Sequence, residues 1–223
     1  MNILLFGATG MVGQGVQREC LLDPDVHVVQ TIGRTAAGIK HPKLREITHT
    51  DLWHYDAIAE QMSGFDACFF CLGVSSTGMS ESDYRHVTYD ITMAAALTLS
   101  RLNPNMTFIY VSGAGADSSE KGRSMWARVR GKTENDLLRL PFRAAYIFRP
   151  ALIQPLHGVQ SRTPSYRVLY SFTKPLLPVL RLLLPGYIST TEQIGRAMLT
   201  VTRNGAPKRI LESRDIVEIA LAN

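Results

Sequence analysis

The sequence predicts an α/β protein, with a doubly wound parallel sheet and helices on both of its faces. The chain begins with a short apolar run, Asn2–Phe6, that leads directly into a glycine-rich turn at residues 7–13. Strand-like and helix-like segments then alternate as far as Pro150. Alternation of this kind favours a parallel sheet whose strands are joined by helices.

The individual elements follow from apolar periodicity and from start and stop residues. Six segments are predicted to be strands: residues 2–6, 27–32, 44–48, 67–72, 107–112 and 144–149. Four segments are predicted to be helices: residues 11–22, 52–63, 80–102 and 124–140. After Pro150 we expect the alternation to fail, except for a final helix capped near residues 189–192 and running to about Arg203.

Composition indicates one well-cored domain. The 223 residues are 45% hydrophobic and 19% charged, and no stretch resembles a linker. No leader and no apolar run long enough to span a membrane is recognisable, so we expect a cytoplasmic protein without an integral membrane segment.

The three cysteines agree with a reducing compartment, and Cys68 and Cys71 are predicted to pack on opposite faces of a strand. We therefore predict no metal site.

The formal charge of +5 indicates an anionic ligand. Basic residues are concentrated at Lys121, Arg123, Arg128, Arg130 and Lys132. Nucleic acid is the alternative partner, but no nucleic-acid-binding motif accompanies these residues and acidic residues flank them. We therefore expect no nucleic acid partner and a small anionic cofactor instead.

The turn after the first strand has the pattern Gly-x-x-Gly-x-x-Gly, which is typical of a dinucleotide site. Gly7 permits the tight turn, Gly10 lets the main chain approach a pyrophosphate, and Gly13 lets the helix pack closely. The first helical turn then offers free N–H groups and a positive dipole end to phosphates. The predicted phosphate-binding residues are Gly7, Thr9, Gly10, Met11, Val12 and Gly13.

The end of the second strand bears on the choice of cofactor. NAD-binding proteins usually place an acidic residue there, whereas this chain has Arg34, which suits a 2′-phosphate. We therefore expect NADP(H) to be favoured over NAD(H), the alternative being that Arg34 is a solvated loop residue. Asp51 and Leu52 follow the third strand and are expected beside the adenine, although Asp51 could instead cap a helix.

Together these motifs make the sequence resemble the short-chain dehydrogenase/reductase superfamily, a group of Rossmann-fold proteins. Within it, the chain is similar to the atypical group of Tat-interacting-protein-like oxidoreductases and small bacterial epimerase-like relatives. Further motifs that support the resemblance are Ile32-Gly33-Arg34, Cys71-Leu72-Gly73, Tyr110-Val111-Ser112 and Phe148-Arg149-Pro150. The resemblance implies that Cys71, Leu72 and Gly73 lie along the cofactor, and that Arg149 and Pro150 border the nicotinamide.

The same resemblance implies a catalytic serine and a Tyr-x-x-x-Lys pair, which this chain alters. The serine position falls near Ser112, the tyrosine position on Trp126 and the lysine position on Arg130. Indole cannot shuttle a proton, whereas arginine can still bind ribose hydroxyls. Tyr170 and Lys174 have the right spacing, but Pro175 disfavours a helix there, so this match is discounted.

The C-terminal third is the substrate side in this interpretation. We expect one NAD(P)-binding domain, with residues 1–150 as its dinucleotide-binding core and residues 151–223 as a substrate-side region. The apolar, proline-interrupted segment 166–186 has three alternatives: a cover for the substrate, a homodimer or partner face, or a membrane contact. His157 is either a site residue or a structural one.

The sequence thus predicts an NADP(H)-binding protein of the atypical short-chain dehydrogenase type. It acts as an oxidoreductase or epimerase-like enzyme on an unknown small substrate, by a route that avoids the tyrosine. The alternative is a catalytically inactive NADP(H) sensor or scaffold whose occupancy regulates a protein partner.

Overall fold

The computed structural model describes residues 1–159 and 186–222. The strands of this part are β1 (Asn2–Phe6), β2 (Val28–Gly33), β3 (Leu44–Thr48), β4 (Ala67–Phe70), β5 (Thr107–Val111), β6 (Ala144–Arg149), β7 (Leu152–Gln154), β8 (Ile188–Thr190) and β9 (Ile210–Glu212). Its helices are α1 (Met11–Leu22), α2 (Glu81–Arg85), α3 (Ile91–Leu102), α4 (Met125–Leu137), α5 (Thr191–Asn204) and α6 (Ser213–Leu221).

Seven of these strands form one parallel sheet, in the order β3-β2-β1-β4-β5-β6-β9. A separate pair, β7 and β8, is also parallel. The strand order reverses direction between β1 and β4, which is the switch point where doubly wound folds bind ligands. The predicted Rossmann-type α/β fold is confirmed.

Alternating side chains of the central strands build a core on each face of the sheet. Ile3 and Leu5 of β1 join a cluster with residues of α1, α5 and α6. Leu4 and Phe6 point the other way, into a cluster with residues of α3 and α4. Because both faces are covered, the central strands β1, β4 and β5 are almost entirely apolar.

Helices α1 and α5 lie unusually close together because glycine stands at their contact points. A methyl group built on Gly15 would lie 2.5 Å from Cβ of Thr191, and one on Gly195 would lie 2.8 Å from Cγ of Glu19. The predicted cap of α5 is confirmed, since Thr190 accepts from the amide of Gln193 and Gln193 accepts from that of Thr190. This packing fixes the start of α5 against α1, the helix that follows the glycine turn.

Two predicted helices differ from the structure. The segment 52–63 forms two short 3-10 turns, Asp56–Ile58 and Glu60–Met62, instead of an α-helix. Tyr55, Ile58 and Met62 are nevertheless buried, so these turns bury the same apolar side chains that suggested a helix. The segment 80–102 is helical, but a π-helical stretch, His86–Asp90, separates α2 from α3.

The prediction that alternation fails after Pro150 is wrong. Strand β9 pairs with β6 and extends the main sheet, and α6 follows it. Three-residue strands such as β9 give too short a pattern to be recognised from sequence. The discounted Tyr170 and Lys174, and all but one position of segment 166–186, lie outside the described residues. Over residues 1–159 and 186–222, no helix is long and apolar enough to cross a membrane.

Candidate functional site: a cleft at the carboxyl ends of the strands

A cleft of about 350 Å³ lies where β1, β2 and β4 end. Its lining combines the glycine turn, the residues that end β2, and one residue each from the loops after β3 and β4. These residues are Gly7, Ala8, Thr9, Thr31, Ile32, Gly33, Arg34, Thr35, Leu52 and Leu72. Ligands of open α/β sheets bind at this edge, so the cleft is the candidate site.

The glycine turn brings backbone atoms so close together that Gly7 and Gly13 have no room for a side chain. Gly7 has a φ of +79°, and a methyl group on it would lie 2.6 Å from the carbonyl carbon of Cys71. A methyl group on Gly13 would lie 2.0 Å from the carbonyl oxygen of Gly7. The Gly10 amide donates to that same oxygen at 2.9 Å. Two of the three glycines are therefore required by the turn itself.

The first turn of α1 presents amides to the cleft side without a side-chain cap. Gly10 is the N-cap residue, no side chain of the described residues caps it, and no acidic residue lies in the first turn. Met11, Val12 and Gly13 form that turn, while Thr9 lines the cleft. Unpaired N–H groups and the helix dipole together favour an anion at this position.

The structure separates the predicted adenine-side residues. Arg34 is exposed at the rim of the cleft and has no hydrogen bond or ion pair within the described ranges. Leu52 is buried and lines the cleft. Asp51 does not line it: its carboxylate accepts from the amide of Trp53 and pairs with His54, and the His54 hydrogen bond lowers its pKa. Asp51 thus closes a local turn.

Arg130 stands between the loops that follow β4 and β5. Its Nη2 atom lies 3.6 Å from a methyl group built on Gly73, and its Nη1 atom lies 3.9 Å from one built on Gly113. Cys71 begins the first of these loops and donates its amide to the carbonyl of Phe6. The loop after β4 therefore brings Leu72 to the cleft and Gly73 to Arg130.

Ser112 belongs to a buried polar network. Its hydroxyl donates to Glu134, whose side chain is fully buried, and Arg149 donates to both oxygens of the same carboxylate. Arg149 also reaches Glu212 at 3.1 Å and the hydroxyl of Ser118 at 2.7 Å. Both predicted site residues, Ser112 and Arg149, are thus engaged with protein groups.

Trp126 lies over the loop after β5. Atom Cη2 of its ring is 3.4 Å from a methyl group built on Gly115, whose φ is +88°. Its indole N–H has no hydrogen-bond partner in the part of the chain that the structure describes. Pro150 is buried, and its carbonyl accepts from the amide of Ala114 at 3.0 Å. An indole here provides an apolar wall and one donor, with no acid–base group.

Two tyrosines that were not predicted to be site residues, Tyr84 and Tyr110, lie near Arg130. Tyr84 accepts a hydrogen bond from Nε of Arg130 at 2.9 Å. Burial raises the pKa of Tyr110 to about 12, against the opposing influence of the Arg130 cation. Nothing in the local sequence pairs Tyr84 with Arg130, because they meet only when α2 packs beside α4.

The remaining candidates are structural. His157 pairs with Glu192 at 2.6 Å, and this hydrogen bond lowers the pKa of Glu192. The cysteines are free, with Cys68 in the cluster of α3 and α4 and Cys71 packed against the opposite cluster, as predicted. Burial raises the pKa of both thiols, which makes them unreactive.

The chain has the Rossmann fold that solved short-chain dehydrogenases/reductases also have, in agreement with the resemblance predicted from sequence. It is similar to the Bordetella bronchiseptica enzyme WbmF, solved in complex with NAD+, with a TM-score of 0.69 and 15% identity over 99% of this chain and 76% of that one. The short-chain dehydrogenase/reductase YIR035C from Saccharomyces cerevisiae superimposes with a TM-score of 0.66 at 14% identity, over 97% and 98% of the two chains.

By sequence, the chain is similar to fungal proteins named Fmp52. It is 26% identical to the mitochondrial protein fmp52 of Emericella nidulans, over 88% of this chain and 84% of the relative. It is 29% identical to fmp52-1 of Aspergillus oryzae, over 68% and 66% of the two chains. No protein-family model matches the chain.

The expectation of a cytoplasmic location is wrong on this comparison. The named relatives, from Emericella, Scheffersomyces, Aspergillus and Debaryomyces, are all called mitochondrial proteins. The expectation rested on composition and on the lack of a recognisable leader, and neither property determines where a folded protein resides.

Proposed function

We propose that this protein binds NADP(H) across the carboxyl edge of its sheet. The observation that carries the proposal is that the glycine turn, which leads into the uncapped start of α1, and Arg34, which has no partner among the described residues, line the same cleft. The adenine would lie against Leu52, the pyrophosphate at the amides of residues 9–13, and the 2′-phosphate at Arg34. The NAD+ bound to WbmF supports a nicotinamide nucleotide as the ligand of this fold.

Arg130 supports the other half of the same proposal. Its Nη groups lie beside Gly73 and Gly113, which follow β4 and β5, the strands on the far side of the switch point from β2. Bound NADPH would supply a hydride at the nicotinamide, and Arg130 would hold the adjoining ribose. Cys71, Arg149 and Pro150 would then act through their backbone, because their side chains contact protein groups.

The preference for NADP(H) is tested with Arg34→Ala. We expect the Kd for NADPH to rise about tenfold, the size of one lost charge-assisted contact, while the Kd for NADH changes less than about twofold. Isothermal titration calorimetry measures both. Lys40→Ala is the matched control, since it removes an exposed cation from the same loop outside the cleft. Equal losses for the two coenzymes would remove Arg34 from this role.

For turnover we propose oxidoreductase or epimerase-like chemistry on a small substrate, without a tyrosine acid at position 126. A second function, an NADP(H) sensor or scaffold without turnover, is favoured by the engagement of Ser112 with Glu134. NADPH oxidation with any member of a carbonyl, quinone and nucleotide-sugar panel supports the enzyme. Nucleotide binding without turnover, together with a nucleotide-dependent affinity for a protein partner, supports the sensor.

A further inference from the structure

Arg130 carries a charge that no carboxylate of the described residues contacts directly. Its side chain is only partly exposed, yet no carboxylate within residues 1–159 and 186–222 forms an ion pair with it. Its one hydrogen bond in these ranges runs from Nε to the hydroxyl of Tyr84, at 2.9 Å. A partly buried guanidinium with so few partners is costly unless a ligand completes its shell.

The carboxylate one helical turn further along α4, that of Glu134, favours the Arg130 cation only from a distance and forms no hydrogen bond or ion pair with it. Glu134 is fully buried, and its two oxygens accept from Arg149 and Ser112. Its position is therefore fixed by groups on β6 and after β5. Arg130 is left to face the strand ends, with all four Nη hydrogens without a partner in the described residues.

Tyr84 determines which way those hydrogens point. Its side chain is only 1% exposed, so packing between α2 and its neighbours holds the hydroxyl in place. Because this hydroxyl accepts the hydrogen bond from Nε, it fixes the plane of the guanidinium and leaves the Nη1 and Nη2 atoms beside Gly113 and Gly73. Two adjacent N–H pairs in a rigid plane match a vicinal diol, such as the hydroxyls of a ribose.

We propose that Tyr84 is a positioning residue that holds Arg130 ready to bind the nicotinamide-side ribose of the dinucleotide. The inference rests on the proposed NADP(H) function, because it assigns the ribose of that ligand to Arg130. Tyr84 itself is too buried to touch the ligand. It acts by preorganising the cation, so its removal weakens only those ligands that extend as far as Arg130.

The test compares two ligands that share the adenine half. NADPH reaches across the sheet edge, whereas adenosine 2′,5′-bisphosphate ends at the pyrophosphate-binding turn. In calorimetry on the full chain, we expect Tyr84→Phe to raise the Kd for NADPH about tenfold and leave that for the bisphosphate within about twofold. Unchanged bisphosphate binding also shows that the variant is folded.

Tyr89→Phe is the matched control. It removes one hydroxyl from the neighbouring π-helical segment, where Tyr89 donates to Asp136 at 2.8 Å, and it should leave both affinities as in wild type. A double-mutant cycle adds a second readout: in an Arg130→Met background, Tyr84→Phe should cause no further loss of NADPH affinity. Additive losses would mean that Tyr84 acts independently of Arg130.

The outcomes separate the two proposals. If wild type binds both ligands and Tyr84→Phe binds NADPH within twofold of it, the role of Tyr84 is overturned while NADP(H) binding stands. An equal loss of both ligands in Tyr84→Phe makes Tyr84 a general structural residue and also overturns the role. If wild type binds neither ligand, the proposed function fails and the role of Tyr84 fails with it.

Discussion

The two ends of the sheet edge differ in how their polar groups are used. At the ends of β1 and β2 the donors are open: the first amides of α1 lack a side-chain cap and Arg34 has no partner in the described residues. At the ends of β5 and β6, Ser112 and Arg149 instead enclose the carboxylate of Glu134, although Arg130, beside Gly113, keeps donors without a partner among the described groups. The carboxyl edge of the sheet is therefore open to a ligand at the β1–β2 end, while at the β5–β6 end a buried ion pair stabilises the protein itself.

The largest expected effect tests whether the β5–β6 end is structural. Arg149→Met leaves Glu134, with a side chain 0% exposed, as a buried carboxylate without its cation. We expect a loss of about 4 kcal/mol in the free energy of unfolding, measured by urea denaturation at neutral pH. Arg139→Met is the control: it breaks an ion pair in which the arginine side chain is 75% exposed, and should cost less than about 1 kcal/mol. Equal losses of stability in the two variants would contradict a structural role for the buried Arg149–Glu134 pair.

A slightly smaller effect is expected at the open end. Gly13→Ala places a methyl group 2.0 Å from the carbonyl oxygen of Gly7, so the turn must shift. We expect a loss of about 3 kcal/mol in stability, accompanied by loss of NADPH binding in calorimetry. In Gly10→Ala the nearest contact is 3.3 Å, so stability should fall by less than about 1 kcal/mol. A Gly13→Ala protein that still binds NADPH like wild type would show that the turn does not hold the ligand.

The smallest expected effect tests whether the hydroxyl of Ser112 stabilises the fold or takes part in catalysis. Ser112→Ala removes a hydroxyl that donates to a buried carboxylate, and we expect a stability loss of about 1.5 kcal/mol with unchanged NADPH affinity. Ser63→Ala, at an exposed hydroxyl 3.4 Å from the carbonyl of Ala59, should be nearly neutral. If a substrate is found and Ser112→Ala abolishes turnover without changing stability, the hydroxyl takes part in the reaction and does not stabilise the β5–β6 end.

Sequence patterns predicted the elements that depend on local periodicity. The bounds of β1, β3, β6 and α1 are as predicted, because each combines a regular apolar pattern with clear end signals. The short strand β9 and the turns at residues 56–62 were not predicted, since three-residue elements are chosen by their tertiary neighbours.

The candidate site divides in the same way. The glycine turn and Arg34 are contiguous with their strands, so their placement follows from sequence order. The partners of Ser112 and Arg130 come from other elements: Glu134 lies 22 positions after Ser112, and Tyr84 lies 46 positions before Arg130. Spacing alone contains no information about such pairs.

Strand β9 has a consequence for how the chain folds. It closes the β6 side of the sheet from a position 63 residues further along, as the Arg149–Glu212 pair also shows. Because distant segments of a chain come together slowly during folding, we expect the edge of β6 to remain unpaired for some time after the inner strands have assembled. During that interval the edge is a template for strands of other chains, and misassembly of this protein should begin there.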